Sequence, residues 1–209
     1  MLIQENEHIL FLGDSITDCS RTVQINNLEN LGHGYVNIIA ALLKADLPDY
    51  HLRITNRGVS GNRLCDLEER LETDVIAAEP TLISILIGIN DTWHSLTKGL
   101  PSPIAKFEDT YAAILTRLRD AFDPAIILCE PFLLPCRDDF PAMKPDLDQR
   151  ITIIRRLAAE FQCELLPLDS LFAKACTLES PSYWAPDGIH PSLAGHGLIA
   201  RHWLDLAYQ

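Results

Sequence analysis

Short apolar runs alternate with longer segments of helical pattern from one end of the chain to the other, and this alternation limits the fold more than any other feature. The runs that we interpret as strands are His8–Gly13, His51–Asn56, Thr81–Ile87, Ala125–Glu130 and Glu164–Leu168. The segments whose apolar spacing predicts helices are Gly34–Lys44, Leu64–Ala78, Ile104–Phe122, Asp146–Phe161 and Pro191–Tyr208. A repeated strand–helix pattern predicts a parallel sheet that is covered by helices on both faces, with right-handed crossovers.

The composition is typical of a soluble globular protein. The chain has 209 residues, which favours one domain over residues 1–209, and 47% of them are apolar and 22% charged. Acidic residues outnumber Lys and Arg by 29 to 17, so the formal net charge is −12. Because this charge repels phosphate backbones and anionic lipids, we expect no nucleic acid and no membrane among the partners. No apolar run approaches the ~18 residues of a membrane span.

The first residues and the cysteines bear on location and cofactors. Residues 1–8 have neither a basic start nor a long apolar run, so we expect no signal peptide and a cytoplasmic location. The cysteines form no C-x-x-C pair, which favours reduced thiols over disulfides or a zinc site. There is no phosphate-binding loop with Gly-Lys-Ser or Gly-Lys-Thr. We therefore expect neither a metal nor a cofactor.

Four short segments fall where the predicted fold would place a ligand, beyond the carboxyl ends of strands or just before the last helix. They are Gly13–Thr17, Gly58–Asn62, Gly88–Asp91 and Asp187–His190. Each segment has a plainer interpretation by itself, because Asp and Ser are good helix caps and Gly, Asn and Asp are common in turns. The occurrence of all four segments in this order is what indicates a site.

The residue types in these segments suit nucleophilic catalysis. Ser15 is the candidate nucleophile and His190 the base that removes its proton, because the histidine pKa ordinarily lies near neutrality. Asp187, three residues before His190, could accept the Nδ1 proton and fix the tautomer. The backbone N–H groups of Ser15 and Gly61 and the amide of Asn90 are suited to bind an oxyanion. Position 17 is Thr, so the chain lacks the G-x-S-x-G elbow of α/β-hydrolases.

These segments resemble the sequence blocks of the SGNH hydrolases, which are also called GDSL esterases and lipases. The family's Ser, Gly, Asn and His correspond to Ser15, Gly61, Asn90 and His190, and its triad Asp to Asp187. A closer resemblance, to the carbohydrate-esterase branch that includes acetyl-xylan esterases, is carried by Gly13–Cys19, Gly34–Val36, Asn56–Asn62, Ile87–Trp93 and His190–His196. The resemblance implies a three-layer α/β/α fold, with a flavodoxin-like five-stranded parallel sheet in the order 2-1-3-4-5. It also implies metal-free deacetylation of sugar hydroxyls.

Three further residues are predicted to bind substrate. Trp93 is a candidate pocket wall, because sugars and acyl groups pack on aromatic faces, although plain core packing is the alternative. Asp14 adjoins the candidate nucleophile, and Trp184 could close the pocket or join a subunit interface. The Pro-rich stretches Leu100–Pro103 and Pro131–Pro145 are predicted to be loops over the site, and the region Phe132–Lys144 contains no motif that we can place.

The predicted function is hydrolysis of small acyl esters, chiefly acetyl groups on xylo-oligosaccharides. A lysophospholipase or acyl thioesterase is the alternative, but no long apolar lid is visible between Trp93 and Phe107. A non-catalytic carbohydrate-binding protein is a second alternative, against which the intact Ser15, Asp187 and His190 argue. The expected partner is a small-molecule ester, with a homo-oligomer as a further possibility.

Overall fold

A computed structural model describes residues 2–21 and 30–209. Within these ranges five parallel strands form one sheet in the order β2-β1-β3-β4-β5, which confirms the predicted fold class. The strands are β1 (His8–Gly13), β2 (Arg53–Gly58), β3 (Leu82–Leu86), β4 (Ala125–Cys129) and β5 (Glu164–Leu166). None of the helices in the described ranges is both long enough and apolar enough to cross a bilayer.

Helices cover both faces of the sheet. They are α1 (Ser15–Asp18), α2 (Tyr35–Asp46), α3 (Leu64–Glu69), α4 (Leu71–Asp74), α5 (Ile89–Thr97), α6 (Ile104–Phe122), α7 (Phe140–Glu160), α8 (Leu168–Ala175), α9 (Pro181–Trp184) and α10 (Leu193–Ala207). Successive side chains of β1 point to opposite faces, so Ile9 and Phe11 pack with α2 and α10, whereas Leu10 and Leu12 pack with α3 and α6. The two resulting apolar clusters make a three-layer α/β/α structure.

The register of the central strands brings the predicted site segments together. Gly13, the last residue of β1, pairs with Gly58 at the end of β2 and with Leu86 at the end of β3. The segments that follow these strands therefore leave the sheet at one edge, as expected for a parallel sheet.

The second predicted strand and the predicted helix Leu64–Ala78 differ from the structure. The second strand is Arg53–Gly58 rather than His51–Asn56, because His51 has a left-handed φ of 52° after a short 3₁₀ turn. The predicted helix Leu64–Ala78 is broken into α3, α4 and a 3₁₀ turn. The break lies at Arg70, whose guanidinium donates to the side chain of Asn62 (2.8 Å) and the carbonyl of Gly13 (3.2 Å).

The predicted loops contain more helix than the sequence suggested. Helix α5 follows β3 directly and was not predicted, and neither was α8. Helix α7 begins at Phe140, so part of the predicted loop Pro131–Pro145 is helical. Pro141 lies in the first turn of that helix, where its missing N–H has no partner to lose. The last helix begins at Leu193 rather than Pro191, because the side chain of Ser192 caps it by accepting from the N–H of Gly195 (3.2 Å).

Candidate active site

The structure joins Ser15, His190 and Asp187 in a chain of hydrogen bonds. Ser15 Oγ lies 2.9 Å from His190 Nε2, and His190 Nδ1 lies 2.7 Å from Asp187 Oδ2. Because Asp187 Oδ2 is an acceptor, Nδ1 carries the proton and Nε2 accepts from the Ser15 hydroxyl. This is the arrangement that a nucleophile, a base and an orienting carboxylate require.

The side chain of Asp187 holds the turn from Asp187 to His190 in place. Asp187 Oδ1 accepts from the backbone N–H groups of Ile189 (3.0 Å) and His190 (2.7 Å), while Oδ2 binds the imidazole. Partial burial raises the pKa of Asp187, but the hydrogen bonds from His190 and Ile189 outweigh that effect and hold the pKa below its usual range. The carboxylate is therefore ionised at neutral pH and able to support a protonated imidazole.

The predicted oxyanion donors lie on three elements. Ser15 is the first residue of α1, Gly61 is in the turn after β2, and Asn90 is in the first turn of α5. The side chain of Asn90 is buried, and its Nδ2 donates to the carbonyl of Asn62 (3.0 Å), so the amide is held against the turn that contains Gly61. Gly61 has a φ of +84°, a conformation that residues with a Cβ rarely adopt.

Asp14 caps helix α1 next to Ser15, the candidate nucleophile. Its Oδ1 accepts from the N–H of Ile16 (3.0 Å), and the residue is 1% exposed. Burial raises the pKa of Asp14 to about 7, with nearby Asp91 adding to the rise and the Ile16 hydrogen bond and His190 opposing it. The side chain therefore lies beneath the nucleophile, and its predicted contact with substrate stays a prediction.

The two tryptophans lie in different surroundings. Trp93 is a half-buried residue of α5, and the guanidinium of Arg137 lies 5.2 Å from the centre of its ring. The Nε1 of Trp184, in α9, donates to the carbonyl of Ala175 (3.1 Å), and the Trp184 ring meets Tyr183 edge to face. Both rings pack against the apolar core, and their predicted contacts with substrate stay predictions.

A buried polar network, which sequence reasoning missed, supports the oxyanion side of the site. Arg150 of α7 is fully buried, and its guanidinium donates to Asp146 Oδ2 (3.0 Å), to Thr92 Oγ1 (3.1 Å) and to the carbonyl of Ser102 (2.7 Å). The spacing of Asp146 and Arg150 suits an ion pair on one helix. That spacing does not reveal that the arginine is buried against α5.

An open depression of about 430 Å³ lies beside the triad carboxylate. It is lined by Cys136, Arg137, Asp138, Asp139 and Asp187. Most of this lining comes from the stretch in which the sequence shows no motif, so only the folded chain reveals that it borders the site.

Comparison with known proteins gives a consistent result. The family model described as "GDSL-like Lipase/Acylhydrolase family" matches residues 11–198. An acetylxylan esterase of Geobacillus stearothermophilus is 36% identical over 209 residues, which cover 98% of this chain and 95% of the relative. The crystal structure of the acetylxylan esterase Axe2 from that organism has a TM-score of 0.90 at 33% identity and covers 99% of this chain and 96% of its own.

A second solved structure, of a GDSL-like lipase from Parabacteroides merdae, has a TM-score of 0.92 at 36% identity and covers 99% of this chain and 98% of its own. Axe2 variants described as catalytic mutants replace a serine, an aspartate or a histidine by alanine. The hydrogen bonds that link Ser15, His190 and Asp187 in this protein join the same three residue types. The protein is accordingly a carboxylic ester hydrolase, and it belongs to the GDSL-like lipase/acylhydrolase (SGNH) family.

Proposed function

We propose that this esterase removes acetyl groups from sugars, most specifically from acetylated xylo-oligosaccharides, through an acyl-enzyme formed on Ser15. The observation that carries the proposal is the Ser15–His190–Asp187 chain of hydrogen bonds, in a protein 36% identical to an acetylxylan esterase. Relatives of the Axe2 type are also described as acetyl-xylooligosaccharide esterases.

In the first half-reaction, His190 Nε2 takes the proton of the Ser15 hydroxyl as Oγ attacks the ester carbonyl carbon. The carbonyl oxygen becomes an oxyanion, for which the N–H groups of Ser15 and Gly61 and the Asn90 amide are the donors. His190 then gives its proton to the sugar oxygen as the C–O bond breaks. The products are the free sugar hydroxyl and acetyl-Ser15.

In the second half-reaction, His190 takes a proton from water, and the resulting hydroxide attacks the acetyl carbon. A second oxyanion forms at the same donors and collapses, the bond to Ser15 Oγ breaks, and His190 returns the proton to Oγ. Acetate leaves, and the enzyme regains its starting state. Asp187 keeps the imidazole in the required tautomer in both halves.

The depression beside Asp187 supports a hydroxyl-rich leaving group. His190 must protonate the leaving oxygen, so the alcohol part of the substrate lies on the histidine side of Ser15. The depression is lined by Asp187, the partner of His190, and Arg137 and Asp138 offer hydrogen-bonding groups there.

The proposal is tested by measuring acetate release from acetylated xylo-oligosaccharides and p-nitrophenyl acetate, and fatty-acid release from p-nitrophenyl esters of longer acyl chains and from a lysophospholipid. We expect hydrolysis of the first two substrates and loss of both activities in Ser15→Ala. Ser170→Ala, at an exposed position of α8, is the matched control and should retain full activity. Preference for acyl chains of about eight carbons or more would overturn the choice of substrate. Failure of the wild-type protein to react with a fluorophosphonate probe would overturn the acyl-enzyme.

A further inference from the structure

The segment 134–139 lies directly against the turn that carries Asp187 and His190. The N–H of Leu134 donates to the carbonyl of Gly188 (2.9 Å), and the thiol of Cys136 donates to the carbonyl of Ala185 (3.3 Å). Arg137 Nη1 donates to the carbonyl of Asp187 (3.2 Å). These contacts join the turn to a part of the chain about 50 residues away in sequence.

Arg137 is itself held in place by groups outside this turn. Its Nε and Nη2 donate to the two carboxylate oxygens of Asp139 at 2.7 and 2.8 Å. The guanidinium also lies 5.2 Å from the centre of the Trp93 ring on α5, within the range of a cation–π contact. The hydrogen bonds that Arg137 donates to Asp139, above all, raise the pKa of Arg137, so the side chain is charged at every working pH.

The stem of Arg137 packs on the backbone of the turn. A Cβ at Gly188 would lie 2.8 Å from Arg137 Cγ, which is too close for any side chain. Gly188 also has a φ of +81°, so two independent constraints favour glycine at this position. The turn and the arginine therefore fit each other closely, with no space between them for another side chain.

The Asp187–His190 pair needs such support because it is exposed. The side chain of Asp187 is 47% exposed and that of His190 43%. Water competes for a hydrogen bond at such half-exposed positions, and a single hydrogen bond contributes only about 0.5–1.5 kcal/mol, so further contacts help to hold the two side chains in one geometry. A misplacement of about 1 Å in such a group can lower the rate about 100-fold.

We propose that Arg137 is a positioning residue, which braces the Asp187–His190 turn against Trp93 on α5 and so keeps the Asp187 carboxylate at hydrogen-bond distance from the imidazole. The inference rests on the Ser-His-Asp mechanism proposed above. It gives a role to a stretch of chain in which the sequence shows no motif. The competing explanation is that Arg137 stabilises the fold only, through its ion pair with Asp139.

The test compares Arg137→Met with a matched control, Arg119→Met. Methionine keeps an unbranched stem over Gly188 but removes the hydrogen bonds and the charge. Arg119 has the same kinds of partner away from the site, because it donates to Asp123 (2.9 Å) and to the carbonyls of Pro124 (2.6 Å) and Phe161 (2.7 Å). Rates are measured with p-nitrophenyl acetate and divided by the concentration of sites that react with a fluorophosphonate. Unfolded protein therefore does not lower the value of kcat.

We expect Arg137→Met to lower kcat about 10- to 100-fold, with a change in KM of less than about threefold. The acid-side midpoint of the kcat/KM profile should move to lower pH, because a displaced Asp187 gives less support to a protonated imidazole. Arg119→Met should lower the unfolding midpoint in urea and leave kcat and the pH profile unchanged. Millimolar guanidinium should restore part of the kcat of Arg137→Ala.

The inference is overturned if Arg137→Met loses stability as the control does while kcat and the pH profile stay those of the wild type. It is also overturned if Arg137→Lys, which keeps the charge but not the forked hydrogen bonds, matches the wild type in both kcat and profile. If either result is obtained while Ser15→Ala is inactive, the inference about Arg137 fails but the proposed mechanism stands. An active Ser15→Ala would instead remove the mechanism itself.

Discussion

The carboxylate of Asp91 accepts a hydrogen bond from the backbone N–H of Leu64 at 3.0 Å. Asp91 follows Asn90 in α5, and Leu64 follows the turn that contains Gly61, so this bond ties together two of the elements that supply oxyanion donors. The other oxygen of Asp91 accepts from the hydroxyl of Ser102 (2.8 Å). Burial is the main cause of the raised pKa of Asp91, and these two hydrogen bonds partly oppose it.

Replacement of Asp91 by asparagine should therefore disturb catalysis as well as stability. An amide presents one oxygen, so either Leu64 or Ser102 loses an acceptor at a cost of about 1–3 kcal/mol. We expect kcat to fall about 10- to 100-fold with little change in KM, because the donors lose their relative placement. Urea unfolding and steady-state kinetics measure the two effects, with Asp109→Asn on the exposed face of α6 as the control. Wild-type kcat in Asp91→Asn would contradict the role assigned to it.

Asn90→Ala tests the side-chain donor directly. Loss of one oxyanion donor typically lowers kcat about 10²- to 10³-fold, and we expect an effect in that range. The control is Asn37→Ala, at an exposed position of α2 away from the site. A kcat for Asn90→Ala equal to that of Asn37→Ala would remove Asn90 from the oxyanion hole.

Asp187→Asn should reduce kcat by about 10⁴-fold, because the amide no longer fixes the tautomer in which His190 Nε2 accepts. The turn itself should persist, since an asparagine oxygen still accepts from the N–H groups of Ile189 and His190. Single-turnover measurement of acetyl transfer to Ser15 separates this effect from any change in acetate release. Acylation at the wild-type rate would show that Asp187 is dispensable for it.

A pair of glycine substitutions separates backbone strain from the ordinary preference of a helix for alanine over glycine. Gly61 has a φ of +84°, so Gly61→Ala should lower the free energy of unfolding by about 1–2 kcal/mol and reduce kcat as the donor turn shifts. Gly197 lies within α10, and a Cβ there meets no atom within 4 Å, so Gly197→Ala should stabilise by about 0.5–1 kcal/mol. Urea denaturation of both variants gives the comparison. If both substitutions lowered the free energy of unfolding, or both raised it, the prediction would be wrong.

Asp14→Asn should change how stability depends on pH. The pKa of Asp14 is about 7 in the folded chain and near 3.8 in the unfolded chain, so between these values the unfolded chain loses its proton first. The folded state therefore loses stability as pH rises from about 4 to about 7, by roughly 4 kcal/mol in all. Asparagine keeps the cap and removes the titration.

The stability of Asp14→Asn relative to the wild type should accordingly be greater at about pH 8 than at about pH 4. Urea unfolding at the two pH values measures this difference, and Asp109→Asn again serves as the exposed control. If the free energies of unfolding of Asp14→Asn and the wild type differ by the same amount at both pH values, Asp14 does not titrate in this range.

Local patterns determined much of the site. Ser15, Gly61, Asn90 and the Asp187–His190 pair belong to short segments at strand or helix ends, where a few neighbouring residues and the chain direction decide the backbone. The turn from Asp187 to His190 shows why, since its hydrogen bonds join residues two or three apart. The strand–helix alternation determined the fold class for the same reason, because periodicity is a property of each segment.

What the tertiary structure decided involves residues far apart in the chain. The burial of Arg150 against Ser102, 48 residues away, is one example, and the contact of Arg137 with Asp187, 50 residues away, is another. An Asp146–Arg150 spacing is equally compatible with an exposed pair, and Arg137 belongs to no recognisable motif. Such contacts depend on how helices dock on the sheet, which follows from the packing of whole faces rather than from any local pattern. The sequence by itself therefore predicted a nucleophile and a base that the structure brings within hydrogen-bond distance, and the fold decided which charged side chains lie around them.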